Sequence, residues 1–153
     1  MAILPILTAP HPVLAKKARN VTDDEFGDGL AKLLDDMTDT MYDAPGVGLA
    51  APQVGDGRRI VVVDSGEENG TGLHKMVNPT ITARSKETIL WEETCLSVPD
   101  LEVKVRRNKR ITVEWRDAAT GDPVSREFQN FEAVIVQHEL DHLIGTVLRD
   151  RVS

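Results

Sequence analysis

The chain has one cysteine, Cys95, in 153 residues. A single thiol cannot close an intrachain disulfide, so a disulfide-stapled secreted scaffold is excluded and a reducing compartment is the easier home. No run approaches 18 consecutive apolar residues, which leaves no candidate membrane span. The first ten residues have no basic start and are broken by Pro5 and Pro10, unlike a secretory leader. Positive charge is scarce: 18 Lys and Arg stand against 25 Asp and Glu, a net charge of −7. Bulk charge therefore gives no grip on nucleic acid. The one basic cluster, Lys104 to Arg110, lies beside a strand-like run and reads as a solvated edge. There is no fixed-period repeat and no low-complexity block. What remains is an ordinary globule, 41% apolar and 28% charged. Its length suits one domain, residues 1–153, able to bury a core without staples.

Three prolines (Pro5, Pro10, Pro12) make the first 20 residues an irregular arm, packed by Ile3, Leu4, Ile6, Leu7, Val13 and Leu14. Thr22-Asp23-Asp24-Glu25 has capping-box spacing. Phe26, Leu30, Leu33, Leu34, Met37 and Met41 then follow at helical intervals, up to the stop at Pro45-Gly46. Gly46 to Gly57 reads as loop and turn. Arg59 to Asp64 is a β-branched run, hence a buried strand, and Ser65 to Gly72 is a polar turn region. Short strands are expected at Lys75–Asn78, Ile81–Arg84, Glu87–Trp91, Leu101–Val105, Arg110–Arg116 and Val124–Phe128. Ala119 to Asp122 is a hairpin signal between the last two. Asn130 is placed to cap a second helix over Phe131 to Ile144, stopped by Gly145, and Val147–Arg151 closes the chain. The pattern is α+β: short antiparallel strands around a central C-terminal helix, with one further N-terminal helix.

His138-Glu139-Leu140-Asp141-His142 is the sharpest chemical signal. Positions i and i+4 lie about 40° apart around a helix, one turn up, so both imidazoles reach one metal from one face. Glu139 falls beside the metal without ligating it, as a general base acting on metal-bound water requires. A catalytic metal usually takes three protein ligands and leaves one position open. Cys95 is the natural third, since thiolate is a strong ligand for zinc or iron. His11 and His74 sit among turn residues and read as surface positions. Gly46-Val47-Gly48-Leu49 lacks the third glycine of a dinucleotide fingerprint, so a nucleotide loop is rejected. Its small residues let a backbone approach a substrate or the core. Gln53 is either an oxyanion donor or a loop glutamine in water. Residues three, four and seven before His138 lie on or near its face. These are Ile135, Val134 and Phe131, and with Val47 and Trp91 they could line an apolar slot or simply pack the core. Asp141 points off the metal face and needs a basic partner, for which Arg107 is the candidate. Gln137 is placed to brace the loop carrying Cys95.

Taken together, these segments resemble the peptide deformylases, which remove formyl from the N-terminal methionine of new proteins. That family carries, in order, a G-Φ-G-Φ-A-A-x-Q loop (Φ apolar), an E-G-C-L-S segment and a Q-H-E-x-D-H helix. Here they read Gly46 to Gln53, Glu93-Thr94-Cys95-Leu96-Ser97, and Gln137 to His142. The opening, Ile3 to Ile6 and His11 to Leu14, also looks like the family's N-terminal arm. The resemblance implies a metal held by Cys95, His138 and His142, usually Fe²⁺, with Zn²⁺, Ni²⁺ or Co²⁺ able to substitute. It implies that Glu139 takes a proton from the metal-bound water and returns it to the leaving amine. The oxyanion would be held by the Gln53 amide, the Leu96 backbone N–H and the metal, with the Gly48 backbone lying along the substrate. The implied partners are N-formyl-methionyl peptides, in the cytoplasm, with transient docking on the ribosome.

Two departures stand out. Thr94 replaces the family glycine, which would strain a left-handed backbone or else narrow the site. Many bacterial members carry a further C-terminal helix, which in some assists ribosome docking, whereas this sequence ends at Ser153. Two other readings stay open on sequence alone: an H-E-x-x-H endopeptidase, and a non-catalytic relative that binds a metal or partner.

Overall fold

Ile60–Asp64 is buried on both sides of its strand, and the rest of the fold is organised around that fact. Successive strand residues face opposite ways. Val61 and Val63 pack with Ala133, Val136 and Leu143 of the C-terminal helix. Ile60 and Val62 pack with Leu30, Leu34, Met37 and Met41 of the N-terminal helix. A strand covered on both faces has no polar side, so its apolar run is continuous rather than alternating.

The computed structural model describes residues 3–8, 11–66 and 70–146. Within them lie helices α1 (Asp28–Asp43) and α2 (Asn130–Leu143). The strands are β1 (Gly48–Ala50), β2 (Ile60–Asp64), β3 (Leu73–Arg84), β4 (Thr88–Cys95), β5 (Val98–Asn108), β6 (Arg110–Arg116) and β7 (Pro123–Gln129). Five of them form an antiparallel sheet in the order β1-β2-β3-β6-β7, and β4 and β5 form a separate hairpin. Helix α2 contacts β1, β2, β6 and β7 of the sheet as well as β5 of the hairpin. The expected α+β architecture, with short antiparallel strands about a central C-terminal helix, is present. Residues Val147–Arg151 lie outside the described residues.

Several local expectations are corrected. The Thr22 box caps only a 3-10 turn, Asp23–Glu25, where the Glu25 carboxylate accepts the Thr22 N–H at 3.0 Å. Gly27, at φ 147°, breaks the path, and α1 begins at Asp28. The stretch read as loop after Gly46 contains β1, which pairs Gly48 with Val63 and Ala50 with Val61. The two strands expected at Lys75–Asn78 and Ile81–Arg84 are one, β3, with register shifts after Val77 and Ile81. Asn78 sits at the first shift with φ 54° and ties Val21 through both its backbone groups. Asn130 does not cap α2 with its side chain. It opens the helix at φ 56°, a left-handed turn that Asn tolerates, and its N–H donates to the Lys109 carbonyl. Ile3 is exposed rather than packed. The Lys104 to Arg110 cluster is not wholly solvated, because Arg107 is buried.

The hairpin after Asp117 forms as expected, with Gly121 at φ 76°. The N-terminal arm is stitched down by Leu4 N–H to Thr40 Oγ1 and Leu7 N–H to the Gln53 carbonyl. Burying Leu30, Leu34, Met37 and Met41 stabilises α1 against the sheet by about 1.5–3 kcal/mol each.

Candidate functional site

Cys95 ends β4, and a two-residue turn, Leu96-Ser97, carries the chain into β5. The turn thus presents the cysteine toward the flank of α2. His138 and His142 lie one helical turn apart there, their rings 5.3 Å between centroids. Ligand atoms of Cys95, His138 and His142 all fall within 4.8 Å of one another. Cys95 Sγ is 3.4 Å from His142 Nε2. All three residues are buried.

Each imidazole is set differently. His138 Nδ1 donates to Glu93 Oε1 at 2.9 Å, which turns Nε2 toward the cysteine. Glu93 stands two residues before Cys95 on β4, and so on the same face of the strand. Its other contacts are to Arg107, which donates through Nε and Nη2 at 2.9 and 2.8 Å. Arg107 Nη1 also meets Asp141 at 2.6 Å, the pairing expected for Asp141. Burial raises the Glu93 carboxyl, but Arg107 and His138 outweigh it and hold it below the usual range. Burial lowers His138, but its hydrogen bonds to Cys95 and Glu93 win and carry it up to about 10. Burial, then the charges of His138 and Arg107, push His142 down to about 3.

Glu139 is buried, and burial pushes it up to about 7. Its side chain lies against Gly48: a Cβ there would stand 2.5 Å from Oε2. The glycine is required for this close approach and not for its backbone angles, since it is not among the positive-φ residues. Glu139 Oε1 and His142 Nδ1 are buried without a hydrogen-bond partner among the described residues. A soft sulfur and two imidazoles converging beside an unpartnered carboxylate oxygen fit a divalent transition metal.

Gln53 does not sit in water. It is 1% exposed. Its Oε1 accepts the Ala50 N–H at 2.9 Å, which leaves Nε2 to face Ser97 Oγ at 3.1 Å and Cys95 Sγ at 3.7 Å. The donor end of the amide thus points at the cysteine.

A cavity of about 430 Å³ opens over these groups. Val47, Gly48, Trp91, Phe131, Val134 and Ile135 all line it, as do Gln53, Leu96, Cys95, His138 and Glu139. Trp91 and Phe131 pack with ring centroids 5.1 Å apart. His142 lies beneath, outside the lining. Thr94 is on the rim, and it has no left-handed φ, so threonine strains nothing there.

Two sequence expectations fail near the site. Gln137 braces Asn108 at the end of β5, through both backbone groups, rather than the turn that carries Cys95. His74 is not a surface residue: it is half-buried, 3.7 Å from Glu132 and edge-on to Phe128. Glu93, the partner of His138, is given no role by the motifs, and its place two residues from Cys95 is the local signal for it.

Comparison with known proteins agrees with this geometry. The polypeptide deformylase family model matches residues 3–153. A peptide deformylase from Desulfotalea psychrophila is 44% identical over 155 residues, covering 100% of this chain and 89% of that protein. The actinonin-bound class I type b peptide deformylase of Acinetobacter baumannii superposes with TM-score 0.94 at 37% identity, over 100% of both chains. The Met-Ala-Ser-bound form of that enzyme gives 0.93 at 36% identity, over 99% of this chain and 100% of that one.

Proposed function

The chain belongs to the peptide deformylase family, and from that premise we propose that its cavity removes the N-terminal formyl group of formyl-methionyl peptides as nascent proteins emerge. The observation that carries this reading is the convergence of Cys95, His138 and His142 beneath a Glu139 pressed against Gly48. We read residues 1–153 as one catalytic domain acting in the cytoplasm, with the ribosome as a transient partner. Among the described residues no helix is long and apolar enough to cross a membrane.

Cys95, His138 and His142 are the residues that would hold the metal, Fe²⁺ by preference, with Zn²⁺, Ni²⁺ or Co²⁺ as substitutes. When bound, a divalent metal supplies Lewis acidity, which makes water nucleophilic at neutral pH. Glu139 takes the proton that water gives up and later delivers it to the leaving amine nitrogen. Its carboxylate is buried, and Oε1 has no hydrogen-bond partner among the described residues, so it is free for both halves of that transfer. The water oxygen bonds to the formyl carbon, the C–N bond breaks, and formate and a free N-terminal amine result.

Gln53 Nε2 and the Leu96 backbone N–H bind the oxyanion as it develops. One such donor typically contributes about 2.7–4 kcal/mol to the transition state. Gln53 needs no reorganisation for this, because the Ala50 N–H already fixes its orientation. The Gly48 backbone lies along the substrate. Val47, Trp91, Phe131, Val134 and Ile135 receive the methionine side chain, an apolar and flexible group that suits an apolar slot.

The test is turnover by anaerobically prepared, Fe²⁺-loaded protein. A formyl-Met peptide should release formate, while an N-blocked peptide with internal bonds should stay intact. Cleavage of the second alone would assign an endopeptidase. A rate no better than that of Glu139→Ala would assign a non-catalytic binding protein.

A further inference from the structure

On the side of α2 that carries Leu140, Asp141 and Ile144 lies a second cleft, of about 410 Å³. Four arginines border it, Arg59, Arg84, Arg106 and Arg107, and among the described residues the only acid in its lining is Asp141. Arg107 is committed to Glu93 and Asp141. The other three have no carboxylate partner among the described residues. Arg59 donates to the Pro79 carbonyl, Arg84 to Asn108 Oδ1 and Arg106 to Thr88 Oγ1.

This is unusual for a chain in which acids outnumber bases, 25 to 18. Elsewhere Arg19, Arg58, Arg110 and Arg116 each hold a carboxylate. Arg59 is half-buried, and burial alone holds its pKa below the ordinary value, with no acid restoring it. Like charges gathered around one concavity repel each other, and a bound anion would relieve that cost.

The shape and the remaining lining narrow the choice of anion. Guanidinium forks match phosphate oxygens in pairs. Lys109 and Arg110 just beyond the cleft are paired with Glu87 and add no free charge to it. The uncharged wall is apolar, formed by Pro79, Ile81, Leu140 and Ile144. The volume falls within the range of about 300–1,000 Å³ typical of small-ligand pockets.

We propose that this cleft binds a small phosphate monoester, its phosphate held by Arg59, Arg84 and Arg106 and its uncharged body lying on Pro79, Ile81, Leu140 and Ile144. The site is separate from the deformylation cavity and does not depend on the reading of that cavity.

Calorimetric titration of the metal-loaded enzyme tests this with three probes: adenosine monophosphate, inorganic phosphate, and a ten-nucleotide single-stranded RNA with a 5′-hydroxyl end. The monophosphate should bind one to one and more tightly than inorganic phosphate. An Arg84→Gln/Arg106→Gln double variant should weaken it by at least about tenfold, as loss of charge-assisted contacts requires. Arg84→Lys/Arg106→Lys should weaken it less, since charge is kept and only the fork is lost. Formyl-Met peptide turnover without added ligand should be unchanged in both. An unaltered monophosphate isotherm in the glutamine variant would place binding elsewhere and overturn the proposal. So would monophosphate affinity no better than that of inorganic phosphate, or a silent monophosphate titration. RNA binding with the monophosphate silent would likewise overturn it, in favour of a polyanion surface.

Discussion

Glu139 and Gly48 are in such close contact that a single methyl group cannot fit between them: a Cβ on residue 48 would lie 2.5 Å from Oε2 and 2.9 Å from Cδ of the glutamate. The strand carrying the glycine motif and the helix carrying the histidine motif therefore set each other's position at the reacting centre.

Gly48→Ala should displace the Glu139 carboxylate while leaving the fold intact. A misplacement of about 1 Å can cost about 100-fold in rate. Formate release should fall by that order, with far-UV circular dichroism unchanged. Near-normal turnover would mean that Glu139 has slack, or that its position does not matter.

Glu139→Gln keeps the shape and removes the proton carrier. Turnover should drop by about 10²- to 10⁴-fold, while metal content, measured by elemental analysis, stays at the level of the parent protein. Loss of the metal together with activity would make Glu139 a ligand instead of a base.

Arg107→Leu leaves Glu93 and Asp141 without their shared cation in a buried setting. Breaking such a pair from one side costs about 3–5 kcal/mol. Chemical denaturation should show that loss. Arg107→Lys should recover only part of it, because an ammonium cannot reproduce the two-pronged contact to Glu93. Glu93→Gln should weaken metal affinity by about 10- to 100-fold in chelator competition, as expected when a carboxylate behind a ligand histidine is altered.

Thr94→Gly should not stabilise the protein. Threonine has no left-handed φ there, so no such strain exists to release, and glycine within a strand costs about 0.5–1 kcal/mol. The melting temperature should hold or fall slightly. A clear rise would show that threonine is strained after all.

Tyr42 is the only tyrosine, and its hydroxyl donates to Asp64. That hydrogen bond, and then burial, raise its pKa to about 12. A raised folded-state value favours the protonated form. The stabilisation is therefore complete below the unfolded value of about 10 and disappears as pH climbs through 12. Ultraviolet titration of the phenolate should show a late midpoint, which Asp64→Asn brings back toward the ordinary one.

The helix bearing His138 and His142 was legible because helical spacing places i and i+4 on one face, whatever the surroundings. Cys95 was legible from the chemistry of its thiolate and from the motif around it. The pocket residues Phe131, Val134 and Ile135 followed from the same helical geometry. Strand β1 was hidden because Gly46, Gly48 and Pro52 dominate its local signal, and only pairing with Val61 and Val63 makes it a strand. The pairing of Arg107 with Asp141 was legible from the cost of a buried carboxylate, but its basic run hid that strand alternation turns it inward to Glu93 as well. His74 owes its place to tertiary partners that no local pattern specifies, whereas Glu93 carried a local signal in its position two residues before Cys95. The break at Gly27 shows the reverse case, in which a sound capping signal was overruled two residues later by backbone conformation.

Helix α2 is enclosed on almost every side by sheet and hairpin, and the stretch from Glu132 to Glu139 is buried without interruption. One segment thereby serves as both beam and workshop, and the two uses cannot be altered separately. Substitutions are best tolerated at the periphery of such a protein, where surface changes away from packed groups cost little, as at the turn after Asp117 and the outer face of α1. A search for heat-tolerant variants that keep their catalytic power is best seeded there.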